Sequence, residues 1–209
     1  MEKYKEKATG YRFFKFTLGW LFKLWYRPIV INKEVIPKDG PIIICGNHMH
    51  VMDQCPVILS TNRMVHYMAK KEYFDGKFAW FFKMSGCIPV NRQIKDNNAT
   101  EAALEVLQNG KALGLFPEGT RNKTDKIILP FKFGAVSMAQ KTGATIVPFA
   151  TSGEYKRGKD LIVRFGKPFK VGKDEDLAEV NKKFEDQIIS LLKKNKKELE
   201  LIAKKRSKK

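Results

Sequence analysis

Short apolar runs and stretches of helical period take turns along the chain. Residues 42–46, IleIleIleCysGly, are β-branched and apolar, as a buried strand requires, and ProLysAspGlyPro at 37–41 reads as the turn before it. Runs at 65–69, 112–116, 145–150 and 161–166 have the same character. Helical stretches lie between them. The segment 99–109 opens with Asn98 and Glu101 in capping-box spacing and closes at Gly110. A second runs from Gly134 to Lys141 and stops at Gly143. A third, 175–203, carries Leu177, Val180, Phe184, Ile188 and Leu191 at helical spacing. Strands that alternate with helices predict an α/β domain, with a central, mostly parallel sheet covered by helices.

The N-terminal pattern is of another kind. Projected at about 100° per residue, Arg12, Lys15, Gly19, Lys23 and Arg27 gather on one side, while Phe13, Phe14, Trp20, Leu21, Leu24 and Trp25 face the other way. A basic stripe against a broad aromatic face predicts an amphipathic helix lying in a membrane interface. A helix packed on its own core would show a similar pattern. The chain then divides into a membrane-interface segment (1–28), an α/β domain (29–190) and a basic C-terminal helix or tail (191–209).

Composition sharpens this picture. The 209 residues are 43% hydrophobic and 11% aromatic, which excludes a disordered polyelectrolyte. No stretch approaches the roughly 18–20 uncharged apolar residues of a spanning helix, and no signal peptide is expected. The net charge is +18, and it is concentrated at the ends. Residues 1–27 hold seven basic against two acidic residues, and residues 190–209 hold nine against two. Ends of this kind suit a polyanion: nucleic acid, an acidic carrier protein or an anionic membrane face. Three cysteines, Cys45, Cys55 and Cys87, without CxxC spacing fit a reducing compartment rather than a disulfide or zinc scaffold.

Two segments carry candidate chemistry. GlyAsnHisMetHisValMetAspGln (46–54) directly follows an apolar strand. Its His48 and Asp53 can bring a carboxylate onto one imidazole nitrogen and leave the other as a general base. A surface His beside a helix-capping Asp gives the same spacing. His48, His50 and Asp53 could alternatively converge on a metal, although no HExxH pattern accompanies them. There is no GxSxG elbow, so a base at His48 would activate a hydroxyl of the substrate. GlyLeuPheProGluGlyThrArg (114–121) also follows a strand. It lacks the Lys-Ser/Thr pair of a nucleotide phosphate loop, but Arg121 can grip a single phosphate and Glu118 can accept bonds from substrate hydroxyls. Arg92 follows a further apolar run, GlyCysIleProValAsnArg.

Taken in order, these segments resemble the 1-acylglycerol-3-phosphate acyltransferases among the glycerolipid acyltransferases. The family's NHxxxxD is matched by Asn47 to Asp53, its Gly-led run ending in Arg by Gly86 to Arg92, its FPEGTR letter for letter by Phe116 to Arg121, and its apolar strand leading to Pro by Ile146 to Pro148. The resemblance covers roughly residues 40–150. It implies transfer of an acyl group from acyl-carrier protein or acyl-CoA to the sn-2 hydroxyl of lysophosphatidic acid, making phosphatidic acid for phospholipid synthesis without a covalent enzyme intermediate, metal or cofactor. It makes His48 the base and Asp53 its orienting partner, and gives phosphate contacts to Arg92 and Arg121. Glu118 and Gly119 would shape the glycerophosphate site, with Pro148 beside it, and Lys70 or Lys71 would help stabilise the oxyanion. One departure is His50, where many members have Ser; it is a second candidate base. The resemblance also favours an anionic membrane surface as the basic ends' partner, with the protein peripheral on the cytoplasmic face of the cell membrane. Glycerol 3-phosphate or another lysophospholipid as acceptor keeps the same chemistry. A basic nucleic-acid-binding module is the reading from another class, and no nucleic-acid-binding signature supports it.

Overall fold

The computed structural model describes residues 8–91, 93–94 and 96–208. Helix α1 (Ala8–Tyr26) is followed by strand β1 (Ile29–Ile31), then β2 (Ile42–Gly46), α2 (Gln54–Ile58), β3 (Val65–Lys70), α3 (Ala79–Met84) and β4 (Ile88–Val90). The second half comprises α4 (Asn97–Gln108), β5 (Ala112–Leu115), α5 (Gly134–Thr142), β6 (Thr145–Gly153), β7 (Leu161–Phe165) and α6 (Leu177–Arg206). Among the described residues seven strands form one sheet in the order β1-β7-β6-β2-β5-β3-β4. Only β6 and β7 pair antiparallel; every other neighbour pair is parallel.

The register explains the unbroken apolar runs. Ile42 to Cys45 sit between Ala112–Leu115 of β5 and Thr145–Pro148 of β6, so both edges of β2 are paired, and all five of its residues are buried. Alternate side chains of the strand point to opposite faces. Ile43 and Cys45 join one core with Leu113, Ile146 and the inner faces of α4, α5 and α6; Ile42 and Ile44 join another with Val57, Val147, Phe149 and Phe165. Pro148 lies within β6, buried, opposite Cys45. Its carbonyl accepts from Gly166, beyond the end of β7, so its missing N–H removes no bond to β2.

One local expectation is corrected. The N-cap of α4 is Asp96, not Asn98: one carboxylate oxygen accepts from the Ala99 amide at 3.0 Å and the other from Asn91 at 2.8 Å. An acidic cap also complements the positive end of the helix. α6, for its part, crosses position 191 without a break and stays docked far along its length. Asn195 is buried, donating to the Ala150 carbonyl at 3.0 Å and accepting from Arg164 Nε at 2.8 Å. Further on, Arg206 forks onto Asp160 at 2.7 and 2.8 Å.

α1 turns its ring-rich side outward. Tyr11, Gly19 and Phe22 are buried against the domain, with Gly19 packed on Leu59 and Gly10 on Met84. Lys15, a member of the basic stripe, points inward and bonds the Thr61 carbonyl. Burial pushes its pKa down, aided by nearby Lys23. Phe13, Phe16, Trp20, Leu24 and Trp25 stay between 53% and 78% exposed. A helix packed on its own core by its aromatic face would show the reverse.

Candidate active site

The site gathers at the carboxyl ends of the parallel strands, where open α/β sheets hold their ligands. His48 follows β2, Glu118 follows β5 and Tyr155 follows β6. Gly46 closes β2 against the Phe149 carbonyl, an approach that leaves no room for a Cβ. Asn47 then pins the loop to β6: its side chain donates to the Thr151 carbonyl at 3.0 Å and accepts from the Thr151 amide at 2.8 Å.

His48 Nδ1 lies 2.8 Å from Asp53 Oδ2. A carboxylate only accepts, so Nδ1 carries the proton, and in the neutral ring the lone pair is on Nε2. Asp53 has no exposed surface. Its Oδ2 also accepts from the Met49 and His50 amides, both at 2.7 Å, and its Oδ1 from the Tyr155 phenol at 2.8 Å. The His48 ring stacks on Phe116 at 3.9 Å with a 10° tilt, which fixes its plane. His50 is held elsewhere: its ring stacks on Tyr155 at 4.3 Å and its Nδ1 accepts from the Met52 amide at 3.3 Å. The dyad therefore belongs to His48. Among the described residues no group of His, Cys, Asp and Glu is arranged to hold a metal ion.

The FPEGTR segment supports this loop from the end of the neighbouring strand, β5. Glu118, 4% exposed, accepts from the His48 amide at 2.7 Å and from the Leu129 amide at 2.8 Å. Burial raises its pKa, and the two amides pull it back. Both carboxylate oxygens are thus engaged with backbone. The Asn122 amide donates to the His48 carbonyl at 2.7 Å, which sets exposed Arg121 next to the His48 loop. Gly119 has a φ of +72°, and a Cβ there would lie 2.8 Å from the Lys132 side chain. Lys70 ends β3 with its ammonium 2.9 Å from Glu72, and Lys71 follows it in an exposed turn. Pro148 stays within the sheet, and Arg92 lies outside the described residues.

A cavity of about 350 Å³ opens beside the dyad. His48, Phe116, Gly119 and Lys132 line it, and apolar side chains of β3, β4, α4 and α5, among them Met68, Val90, Leu104 and Met138, continue its wall. Tyr155 and Lys132 are contributions that motif spacing does not reveal. Tyr155 is 102 positions from the carboxylate it meets, and only the parallel β2–β6 pairing joins them.

The fold, with His48 and Asp53 paired at the strand ends, is that of an acyltransferase. The acyltransferase family matches residues 27–152, more than half of the chain, and the protein belongs to that family. Within it, the chain is 33% identical over 147 residues to the 1-acyl-sn-glycerol-3-phosphate acyltransferase of Bacillus subtilis, covering 66% of this chain and 72% of that one. The enzyme of the same name from Borreliella burgdorferi is 37% identical over 123 residues, 57% of this chain and 49% of its own length. Among solved structures, the 1-acyl-sn-glycerophosphate acyltransferase of Thermotoga maritima superposes with a TM-score of 0.73 at 25% identity, covering 90% of this chain and 79% of that one. The mostly parallel sheet expected from the sequence is the fold of that enzyme.

Proposed function

We propose that the protein transfers a fatty acyl group from an acyl thioester, on acyl-carrier protein or coenzyme A, to the sn-2 hydroxyl of a 1-acylglycerol 3-phosphate. The observation that carries this reading is the His48–Asp53 pair: the buried carboxylate holds Nδ1, and the His48 ring lines a largely apolar cavity. Nε2 takes the proton of the acceptor hydroxyl as its oxygen attacks the thioester carbonyl carbon. The tetrahedral oxyanion collapses, the C–S bond breaks, and the leaving thiolate recovers the proton from the imidazolium. Asp53 keeps Nδ1 protonated throughout and stabilises the transient cation. The product is phosphatidic acid, a precursor for phospholipid synthesis.

Arg121 and Arg92 serve as phosphate contacts in this reading, and Lys132 is a further cation within the cavity. Gly119 gives the loop its left-handed turn, and Glu118 holds the His48 loop in register. The apolar wall suits an acyl chain. The outward aromatic face of α1 suits a bilayer surface, and the hollow at its base, lined by Lys23, Arg27 and Lys33, suits anionic headgroups. No described helix is long and apolar enough to cross a membrane. The attachment proposed through α1 is peripheral, on the cytoplasmic leaflet.

Thiol release from acyl-CoA and acyl-carrier protein, measured against a panel of lysophosphatidate, glycerol 3-phosphate and neutral lysolipids, tests donor and acceptor together. His48→Ala is expected to reduce kcat by about 10²–10⁴-fold with an unchanged circular dichroism spectrum. Wild-type turnover in that variant would overturn the mechanism.

A further inference from the structure

Tyr155 belongs to none of the four motifs, yet it completes the hydrogen bonding of the Asp53 carboxylate. The oxygens of Asp53 are served unequally: Oδ2 accepts from His48 and two backbone amides, whereas the bond described for Oδ1 comes from the Tyr155 phenol at 2.8 Å. Asp53 has no exposed surface, so water cannot replace that phenol without rearrangement. Tyr155 is itself clamped. One ring face lies on His50, and the other contacts reach α1, with Tyr26 edge-on at 5.8 Å and Phe22 at 6.4 Å. Two residues further on, Arg157 sits over Trp25 of the same helix at 5.2 Å.

We propose that Tyr155 is a positioning residue for the dyad: its hydroxyl fixes the charge and orientation of Asp53, and α1, through Phe22 and Tyr26, fixes Tyr155. The proposal rests on the reading of His48 as the general base. Burial, and then the charge of Asp53, push the phenol's pKa far up, so it remains a donor at every pH where the enzyme can work. The groups facing Asp53 are His48 and His50 from its own loop, Cys55 of α2, Tyr67 of β3, Glu118 after β5 and Tyr155 after β6. Burial raises the thiol of Cys55 and the phenol of Tyr67, so both stay neutral. Glu118 bonds the His48 and Leu129 amides and has no hydrogen bond to Tyr155, so it contributes equally to wild type and a Tyr155 variant.

The sign follows from charge. Without the phenol the Asp53 carboxylate has one donor fewer, and its field favours the imidazolium of His48 more strongly. The base is then lost at higher pH. The experiment is the pH dependence of kcat/KM on lysophosphatidate-containing vesicles for wild type, Tyr155→Phe, the double variant Phe22→Leu/Tyr26→Leu, and His48→Ala. Tyr155→Phe is expected to lower the plateau about tenfold and to move the acid limb upward by about half to one pH unit. The α1 variant should move the limb in the same direction by less. A fall in rate or melting temperature with the limb unmoved in Tyr155→Phe would mean a merely structural tyrosine and overturn the proposal. An unmoved limb in the α1 variant alone would overturn the part played by α1. If His48→Ala is inactive while Tyr155→Phe keeps the wild-type limb, only the positioning role fails. If His48→Ala retains wild-type turnover, the general-base reading fails.

Discussion

α1 and α6 are both long, basic and amphipathic, and they use the same property in opposite directions. α6 buries Val180, Phe184, Ile188 and Leu191 against the sheet and leaves its lysines in water. α1 buries Tyr11, Gly19 and Phe22 and leaves Phe13, Phe16, Trp20, Leu24 and Trp25 exposed. A periodic apolar face states only that something apolar must cover it. In α6 the cover is the domain's own core. In α1 the domain takes a narrow side built from Tyr11, Gly19 and Phe22, and the broader apolar face is left for another partner. Exposed rings concentrated on one helix form the kind of patch that marks an interaction surface.

The sharpest way to break the comparison is to remove one ring from each helix and ask which property falls. Phe184 is 1% exposed and packs on Phe131 and Phe169, with ring centroids 5.0 and 5.8 Å away. Phe184→Ala should destabilise the fold by about 3–5 kcal/mol, read as a shift of the chemical denaturation midpoint. That loss should appear equally with and without vesicles. A change under about 1 kcal/mol would mean that α6 is not the core helix it is taken to be.

Next in size is the opposite lesion. Phe16 and Trp20 are 78% and 61% exposed. Phe16→Ala/Trp20→Ala should leave the denaturation midpoint within about 0.5 kcal/mol of wild type, because no core contact is lost. Each ring that enters a bilayer contributes about 1.5–3 kcal/mol, so co-sedimentation with anionic vesicles should weaken at least about tenfold. The reverse outcome, lost stability with intact vesicle binding, would make α1 an ordinary packed helix.

The same contrast shows what sequence can and cannot carry. The five strands predicted from apolar runs are all present, because both faces of β2, β3, β5, β6 and β7 need apolar residues in succession. β1 and β4 escape that reading. Each has three residues, each lies at an edge of the sheet, and β4 contains Pro89, which an edge tolerates. His48 and Asp53 are legible because the family's first motif and a five-residue spacing join them. Tyr155 is not, because its partner is distant in sequence and its place depends on β6 lying beside β2. The cap of α4 differs from the expected one for a local reason: Asn98 and Glu101 have the spacing of a capping box, but Asp96 offers two carboxylate oxygens to two amides. Amphipathicity in α1 was equally plain in sequence, and only the fold shows which side the domain takes.

The smallest effects separate the charges of the two helices. Asn195 and Arg206 show that part of the basic C-terminus is occupied within the fold: Asn195 joins β6 to Arg164, and Arg206 forks onto Asp160. Lys23, Arg27 and Lys33 instead line a hollow at the base of α1. An exposed cation close to an anionic leaflet contributes about 1 kcal/mol, and salt screens it within about 8–10 Å. Lys23→Gln should therefore weaken binding to anionic vesicles about fivefold at low salt and leave binding to neutral vesicles unchanged. Lys204→Gln, on the last turn of α6, should change neither by as much. Equal losses from the two substitutions would mean that the basic ends act as one diffuse charge. A loss confined to Lys23 would place the electrostatic attachment where the aromatic face already is, at α1.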